Sequence, residues 1–284
     1  MKFEINLWDG TFNHLETPDG CYSMVHQKKP KKIKYVSKRS RYDGVTIFTD
    51  HFLNPVYINS VKSKYKIGWF IERAEINPNP KILLDSYINS LDFLMTNDVE
   101  ILNKYPNKAV FVPFGGTWIK DDNYGLHKKR KEISMIYSNK RNRFQGYNLR
   151  HAIAGRFKNK IDLFGSGCSN PIDSKEEGLS DYRYTVVIEN IKKPNYFTEK
   201  LVDAFMVGAI PIYWGCPNIG DFFDEGSILT FNNLEELEKI IDGASSVEYN
   251  QIKSTIQNNF EIAKNYCITE DWIYENIIKE LLYV

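Results

Sequence analysis

The sequence is poor in the features that mark secreted, membrane-spanning and disulfide-bonded proteins. Its 284 residues include only four cysteines, Cys21, Cys168, Cys216 and Cys267, which form neither a C-x-x-C pair nor a zinc-binding spacing. No apolar run is long enough to cross a bilayer. Residues 1–10 are interpreted as a strand and not as a signal peptide, because they lack the long apolar centre of a signal peptide. We therefore expect reduced thiols in a cytoplasmic protein.

Metal ligands are also missing from the sequence pattern. No D-x-D pair is present that could hold a divalent cation against a nucleoside diphosphate, and the five histidines show no ligand spacing. Asp121 and Asp122 are adjacent, so on a strand they would point in opposite directions. We expect no required metal or cofactor, with a divalent cation at most stimulatory.

Charge of one sign is concentrated in a segment near the amino terminus. The net charge is +1, which argues against a nucleic-acid-binding protein, yet Lys28–Arg41 is strongly basic. A solvated surface is the favoured interpretation of this segment. The alternative is that this segment makes peripheral contact with the inner face of an anionic membrane.

The most informative stretch runs from residue 184 to residue 217. An uninterrupted apolar run, Tyr184–Ile188, predicts a buried parallel strand, and a helical pattern follows over Thr198–Val207. Gly208 stands where a helix end favours positive φ, and Ile210–Tyr213 predicts the next strand. The loop between the first strand and the helix is therefore expected at the carboxyl edge of a parallel sheet, where α/β proteins bind ligands.

Five polar residues crowd that predicted edge: Glu189, Asn190, Tyr196, Glu199 and Lys200. A lysine beside a helix N-terminus can neutralise phosphate charge, and a glutamate can accept hydrogen bonds from ribose hydroxyls. This set suits a nucleoside diphosphate. The alternative is a capped helix in which Glu199 only complements the helix dipole.

The same stretch resembles the donor-binding signature of the α-1,3/1,4-fucosyltransferases, glycosyltransferase family 10. The matching elements are Glu189-Asn190, then Tyr196-Phe197-Thr198-Glu199-Lys200, then 208–215, which reads G-A-I-P-I-Y-W-G. Order, spacing and residue identities agree, and the close resemblance covers residues 132–232. It implies an inverting enzyme that transfers L-fucose from GDP-fucose to O3 or O4 of a glycan containing GlcNAc or glucose.

Fold class and domain organisation follow from the pattern together with the resemblance. Strand and helix signals alternate along the chain, which predicts an α/β protein, and the family implies the GT-B architecture, two Rossmann-like domains facing a cleft. We expect an acceptor-binding domain over 1–125 and a donor-binding domain over 126–265. The last segment, 266–284, is expected to form a helix that packs back on the first domain.

The resemblance also assigns roles on the donor side. Lys200 and Arg150 are expected to stabilise the diphosphate, with Arg141 or Arg143 as alternatives to Arg150. Tyr196 and Glu199 are expected to hold the nucleotide, Glu199 at the ribose, and Asn190 to lie near the fucose. Glu189 is either a direct ligand or a buried carboxylate that organises the loop.

The general base is expected from the first domain. Glu72 follows the predicted strand Ile67–Ile71, and a carboxylate at a strand's carboxyl end can face a ligand. Glu75 is the alternative base, and an Arg73–Glu surface pair is the structural alternative. The expected partners are GDP-fucose and an oligosaccharide or glycolipid acceptor. The rival functions are a transferase that uses another nucleoside diphosphate sugar and an inactive glycan-binding relative.

Overall fold

The computed structural model describes residues 2–10, 16–17, 20–21, 23, 28–37, 39–244 and 246–281. The chain divides into two compact units. The first unit comprises Met1–Gly116 and Ile268–Val284, and the second comprises Thr117–Cys267. The sequence predicts a boundary after residue 125, and the assignment of acceptor and donor binding to separate domains stays a prediction.

Strands and helices alternate along most of the chain. The strands are β1 (Phe3–Trp8), β2 (Glu16–Thr17), β3 (Gly20–Cys21), β4 (Ile33–Ser37), β5 (Arg41–Thr49), β6 (Lys62–Phe70), β7 (Phe93–Thr96), β8 (Ala109–Phe111), β9 (Lys131–Ile136), β10 (Asp162–Phe164), β11 (Tyr182–Ile188), β12 (Ile210–Trp214) and β13 (Leu229–Thr230). The helices are α1 (Pro55–Ser60), α2 (Asn79–Ile82), α3 (Leu84–Tyr87), α4 (Val99–Lys104), α5 (Gln145–Phe157), α6 (Lys175–Leu179), α7 (Glu199–Met206), α8 (Leu234–Gly243), α9 (Ser246–Gln251), α10 (Lys253–Lys264), α11 (Thr269–Ile273) and α12 (Lys279–Leu281). A π-helical turn, Tyr274–Ile278, joins α11 to α12.

The first unit is built on a six-stranded parallel sheet in the order β4-β1-β5-β6-β7-β8. Its central strands carry buried apolar residues, among them Phe48, Phe70 and Leu94, and the short helices α1, α3 and α4 add side chains to the same core. Burial of strand residues on both faces is what a covered parallel sheet requires.

The carboxyl-terminal segment belongs to the first unit. The Asp271 carboxylate accepts hydrogen bonds from the backbone N–H groups of Lys31, at 2.8 and 3.0 Å, and Lys32, at 2.9 Å. The Trp272 ring meets Phe111 edge-on, with ring centroids 6.0 Å apart. Residues 268–281 therefore complete the first unit even though the second unit separates them from it in sequence.

Part of the basic segment Lys28–Arg41 lies in the sheet of the first unit. It contains β4, whose Ile33 and Tyr35 side chains are buried, and the Lys34 ammonium pairs with the Glu4 carboxylate at 2.9 Å. The interpretation of this segment as a contact with anionic membrane receives no support from this arrangement. Within the described residues, no helix has both the length and the apolar character that crossing a membrane requires.

The second unit is built on a five-stranded parallel sheet in the order β10-β9-β11-β12-β13. The predicted strand, loop, helix and strand are present as β11, the following loop, α7 and β12. Thr198 caps α7, and its hydroxyl accepts the Lys200 backbone N–H at 3.4 Å. Gly208 has φ of +69°, as its predicted place at the helix end requires.

Two helical segments of the second unit differ from the sequence prediction. The pattern over Tyr249–Asn265 predicts one helix, but the chain forms α9 and α10 with a break at Ile252. Helix α6 is absent from the prediction. Its N-terminus carries a capping box in which Ser174 and Glu177 exchange hydrogen bonds, a sequence signal that would have revealed it.

Candidate active site

Glu189 lies at the carboxyl end of β11 and is fully buried. One carboxylate oxygen accepts the backbone N–H of Thr198 at 2.9 Å, and the other accepts the Thr198 hydroxyl at 2.8 Å. Burial raises the pKa of Glu189 above its ordinary value, although the nearby Lys200 ammonium opposes this effect. The contacts fix the loop to the start of α7, so they favour the organising role for Glu189 over direct ligand contact.

Lys200 and Glu199 form a charged pair at the N-terminus of α7. The Lys200 Nζ lies 3.0 Å from the Glu199 carboxylate and 3.7 Å from that of Glu189. Burial alone would raise the pKa of Glu199, but the ammonium groups of Lys200 and Lys175 hold it at about 2. Burial likewise disfavours charge on Lys200, but the two carboxylates outweigh it and raise its pKa. Both groups are therefore charged at neutral pH.

Arg150 reaches the same region from α5. Its Nε and Nη2 donate to the backbone carbonyl of Ile188, and Nη2 also donates to the Asn190 side-chain oxygen at 3.0 Å. The guanidinium lies over the Tyr147 ring, 4.9 Å from its centroid. Burial lowers the pKa of Arg150, although an arginine side chain stays protonated in proteins. Among the described residues these bonds engage Nε and Nη2, which leaves Nη1 to meet an anion.

Helix α5 approaches the loop through Gly146. A Cβ added to this glycine would lie 1.8 Å from the Glu189 carbonyl oxygen, and the Gly146 N–H donates to the Asn190 carbonyl at 3.1 Å. Only glycine allows this close contact. The N-termini of α5 and α7 therefore both meet the loop that follows β11, and helix N-termini favour anions.

A cavity of about 400 Å³ opens beside these groups within the second unit. Of the predicted donor-side residues, Arg150, Glu199 and Lys200 line the cavity. Tyr196 is buried, with 1% of its surface exposed, and neither it nor Glu189 nor Asn190 lines the cavity. The remaining lining residues are Met135, Ile136, Tyr137, Ser138, Gly165, Ser166, Ile172, Lys175, Leu179, Thr185, Val186, Val187, Ile188 and Asp203.

Sequence reasoning missed a second charged pair in this cavity. The Lys175 Nζ, at the start of α6, lies 2.6 Å from the Asp203 carboxylate on α7. Asp203 stands four residues after Glu199, a spacing that places both carboxylates on one helix face. That spacing was available in the sequence, whereas the pairing with Lys175 depends on how α6 packs.

The predicted base, Glu72, lies just beyond β6 in the first unit. A buried carboxylate, Asp50, holds this strand end by accepting the backbone N–H of Ile71 at 2.8 Å and that of Glu72 at 3.2 Å. Burial raises the pKa of Asp50 to about 8. The two N–H groups oppose this rise, and the carboxylates of Glu72 and Asp9 add to it. Asp50 was not predicted because its buried position depends on the sheet.

Glu75, the alternative base, is paired with an arginine. The Arg73 Nε lies 3.5 Å from the Glu75 carboxylate, and Arg73 also donates to the Asn97 carbonyl at 3.0 Å. The structural alternative is a surface pair between Arg73 and a glutamate. The pair with Glu75 is present, but Arg73 is buried, with 5% of its surface exposed. This anchoring restricts Glu75, and the choice between Glu72 and Glu75 as the base stays a prediction.

Three of the four cysteine side chains lie among the described residues. Among the described side chains, Cys168, Cys216 and Cys267 take part in no disulfide, and the side chain of Cys21 lies outside the described residues. Over the described ranges, no group of three or more histidine, cysteine, aspartate or glutamate side chains is arranged to hold a metal ion.

Comparisons with known proteins agree with the signature. Over 71 residues the chain is 34% identical to alpha-(1,3)-fucosyltransferase FucT of Helicobacter pylori, a match that covers 25% of this chain and 15% of the relative. Over 78 residues it is 33% identical to an alpha-(1,4)-fucosyltransferase of Arabidopsis thaliana, covering 26% of this chain and 20% of the relative. The matched segments thus span a small part of either relative.

The fold is similar to that of a solved alpha1,3-fucosyltransferase with GDP. The TM-score is 0.56 at 18% identity, and the match covers 95% of this chain and 92% of the other. This likeness confirms the predicted α/β fold class with GT-B architecture. The family model described as glycosyltransferase family 10 (fucosyltransferase) C-term matches residues 126–280, more than half of the chain. The chain therefore belongs to glycosyltransferase family 10, the fucosyltransferase family.

Proposed function

We propose that this protein is an inverting fucosyltransferase that moves L-fucose from GDP-fucose to O3 or O4 of a glycan containing GlcNAc or glucose. The observation that carries the proposal is the cavity at the carboxyl edge of the second sheet, where Lys200, Glu199 and Arg150 meet within the family signature. Its volume of about 400 Å³ suits a nucleotide-sized ligand.

Departure of GDP requires stabilisation of the negative charge that develops on the diphosphate. Lys200 carries a full positive charge at the N-terminus of α7, and the Arg150 guanidinium offers Nη1 donors nearby. Cations fixed in place before the reaction stabilise such a transition state more strongly than mobile solvent does. We assign the diphosphate to these two side chains, which would make a metal ion unnecessary for leaving-group stabilisation.

The ribose is assigned to Glu199. A carboxylate that stays ionised can accept hydrogen bonds from both ribose hydroxyls, and the pKa of Glu199, about 2, keeps it ionised. Glu189 and Tyr196 are buried, so in this proposal they shape the loop and the helix start. Asn190, held by Arg150, remains the candidate contact for the fucose.

Glu72 is proposed as the general base that takes the proton from the acceptor hydroxyl. A single displacement places that hydroxyl opposite the leaving GDP and inverts the anomeric centre. Asp50 fixes the backbone N–H of Glu72 and so limits the positions that the base can take. Glu75 is the second candidate for this role.

Two other functions fit the same family membership. One is a transferase that uses another nucleoside diphosphate sugar. The roles proposed for Lys200 and Glu199 concern the diphosphate and the ribose, which such donors share, and do not distinguish one base from another. The other is an inactive relative that only binds glycans, and the retained charge set at the cavity argues against it.

The direct test is transfer itself. Purified protein would be incubated with GDP-fucose and either lactose or N-acetyllactosamine, in the presence and absence of EDTA, and the products analysed by mass spectrometry and NMR. We expect a fucosylated product with the anomeric configuration inverted relative to the donor, formed also in EDTA. Transfer from UDP-glucose or GDP-mannose in preference to GDP-fucose would overturn the proposed donor.

A further inference from the structure

Lys175 and Asp203 form an ion pair whose two members both line the donor cavity. The Lys175 Nζ lies 2.6 Å from the Asp203 Oδ2, and the lysine side chain is 27% exposed while the aspartate is 1% exposed. The donor-site roles assigned above use neither residue. Burying a carboxylate costs free energy unless its oxygens are hydrogen-bonded, so the charge of Asp203 depends on the partners that it has in the cavity.

The hydrogen bonds of Asp203 leave one side of it available. Its Oδ1 accepts the Thr117 hydroxyl at 2.7 Å and the Trp118 backbone N–H at 2.8 Å, which together fill the two acceptor positions of that oxygen. Its Oδ2 accepts Lys175 at 2.6 Å and has a second acceptor position. Lys175 has three N–H donors, of which this bond uses one.

A hydrogen-bond donor and acceptor of fixed order therefore stand side by side in the cavity. Guanine presents the complementary order along one edge, with O6 as an acceptor next to N1–H as a donor. We propose that Lys175 and Asp203 select the guanine base of the donor nucleotide, Lys175 Nζ donating to O6 and Asp203 Oδ2 accepting from N1–H. The inference rests on the proposed function because it concerns the base of the same nucleotide.

The position of the pair along α7 suits this role. Asp203 lies one turn beyond Glu199, the proposed ribose ligand, which is about 6 Å along the helix axis. This distance is on the order of the separation between a ribose and the far edge of its base. The lining of the same cavity includes Met135, Leu179 and Val186, whose apolar surface is available to the faces of a purine ring.

The same order excludes adenine. Its amino group at position 6 would meet the Lys175 ammonium, and its N1 acceptor would meet the Asp203 carboxylate, so neither bond could form. Buried polar groups left without partners are what give a binding site strong discrimination. Hypoxanthine keeps O6 and N1–H, so inosine diphosphate should bind nearly as GDP does.

The test compares the affinities of GDP, IDP and ADP for the intact protein by titration calorimetry. We expect the wild type to prefer GDP and IDP over ADP, and Lys175→Met to reduce the GDP to ADP affinity ratio by about tenfold or more, since a charged hydrogen bond to O6 is lost. Ribose and diphosphate are common to all three ligands, so changes at Glu199 or Lys200 cancel in this ratio. Lys160→Met, which breaks an exposed pair with Asp242 on the same unit, is the matched control and should leave the ratio unchanged.

The outcomes separate this inference from the proposed function. A wild type that binds GDP with a GDP to ADP ratio unaffected by Lys175→Met would overturn the base-selection role and leave the donor proposal in place. Equal loss of affinity for GDP and ADP in that variant would show that the pair only ties α6 to α7. A wild type that binds no guanine nucleotide would overturn both.

Discussion

Lys200 and Glu199 place two opposite charges side by side at the N-terminus of α7. The two carboxylates raise the pKa of Lys200, and the lysine in turn lowers that of Glu199 to about 2. Both charges persist across the neutral pH range. In the proposed function, the site therefore supplies a cation for the phosphates and an anion for the ribose without any change of protonation.

Lys200→Ala tests the leaving-group role. We expect turnover with GDP-fucose to fall about a hundredfold or more, because one preorganised charge contact to the diphosphate is removed. The control is Lys192→Ala, whose ammonium bonds the exposed Asn232 away from the cavity lining and should leave turnover near normal. Near-normal turnover in Lys200→Ala itself would contradict the assignment.

Glu72→Gln tests the general base. The amide keeps the size of the side chain but cannot accept a proton, so transfer should be lost while GDP affinity stays within about twofold of wild type. Transfer rate and calorimetric affinity would be measured on the same preparation. Normal transfer would place the base elsewhere, with Glu75 the next residue to change.

Asp50 gives the first unit a specific pH dependence. Its pKa rises from an ordinary 3.8 to about 8 on folding, so its contribution to stability is fully present below pH 4 and is lost as the pH rises toward 8. The loss is about 1.4 kcal/mol per pH unit in that interval. Urea unfolding from pH 5 to 9 should show this slope in wild type and a shallower one in Asp50→Asn; parallel curves would refute the raised pKa.

At the residue scale, the sequence located the charges better than the buried polar groups. Glu199 and Lys200 line the cavity, as the spacing from β11 to α7 suggested, and so does Arg150, which the family resemblance indicated. Glu189 and Tyr196 belong to the same motif but are buried, because burial is decided by how the loop folds against the helix start. The motif alone could not separate ligands from organisers.

At the scale of elements, apolar patterning predicted the central strands and missed the edge strand β4. Strand β11 is nearly continuous in apolar residues and was predicted closely, as was α7 with its Thr198 cap. Strand β4 was missed because its lysines mask the alternation of buried and exposed residues at a sheet edge. The five residues of helix α6 are too few to show a period, so only its capping box signals it in the sequence.

Gly146→Ala tests how closely α5 must approach the loop after β11. The added methyl would lie 1.8 Å from the Glu189 carbonyl, so we expect a loss of about 1–3 kcal/mol in unfolding free energy and weaker GDP binding. Gly155→Ala on the same helix meets no atom within 4 Å and should stabilise by about 0.5–1 kcal/mol. Equal effects of the two changes, measured by urea unfolding, would contradict this account.

At the scale of the whole molecule, the first unit is assembled from two distant parts of the chain. Asp271→Ala removes the acceptor of three hydrogen bonds from the Lys31 and Lys32 backbone, so the first unit should unfold at lower temperature. Glu275→Ala, one turn further on, breaks only exposed ion pairs and should have little effect. Calorimetric scans would compare the two; unchanged melting in Asp271→Ala would contradict the proposed anchoring.

The family and the fold class were within reach of the sequence because the signature is long and its strands are strongly apolar. The two alternatives that remain, another donor sugar or binding without catalysis, concern contacts that the signature does not contain. Recognition of the base is one such contact, and the Lys175–Asp203 pair that we propose for it joins two elements 28 positions apart. Pairings of that kind follow from packing and have no local sequence pattern.

The central claim is that the cavity of the second unit holds the GDP part of a GDP-fucose donor. The most direct measurement is titration calorimetry of wild type and Lys200→Ala with GDP, GDP-fucose and UDP, each in EDTA. The account predicts that wild type binds GDP and GDP-fucose in preference to UDP without metal, and that Lys200→Ala weakens both. Preference for UDP, or no nucleotide binding by wild type, would contradict it.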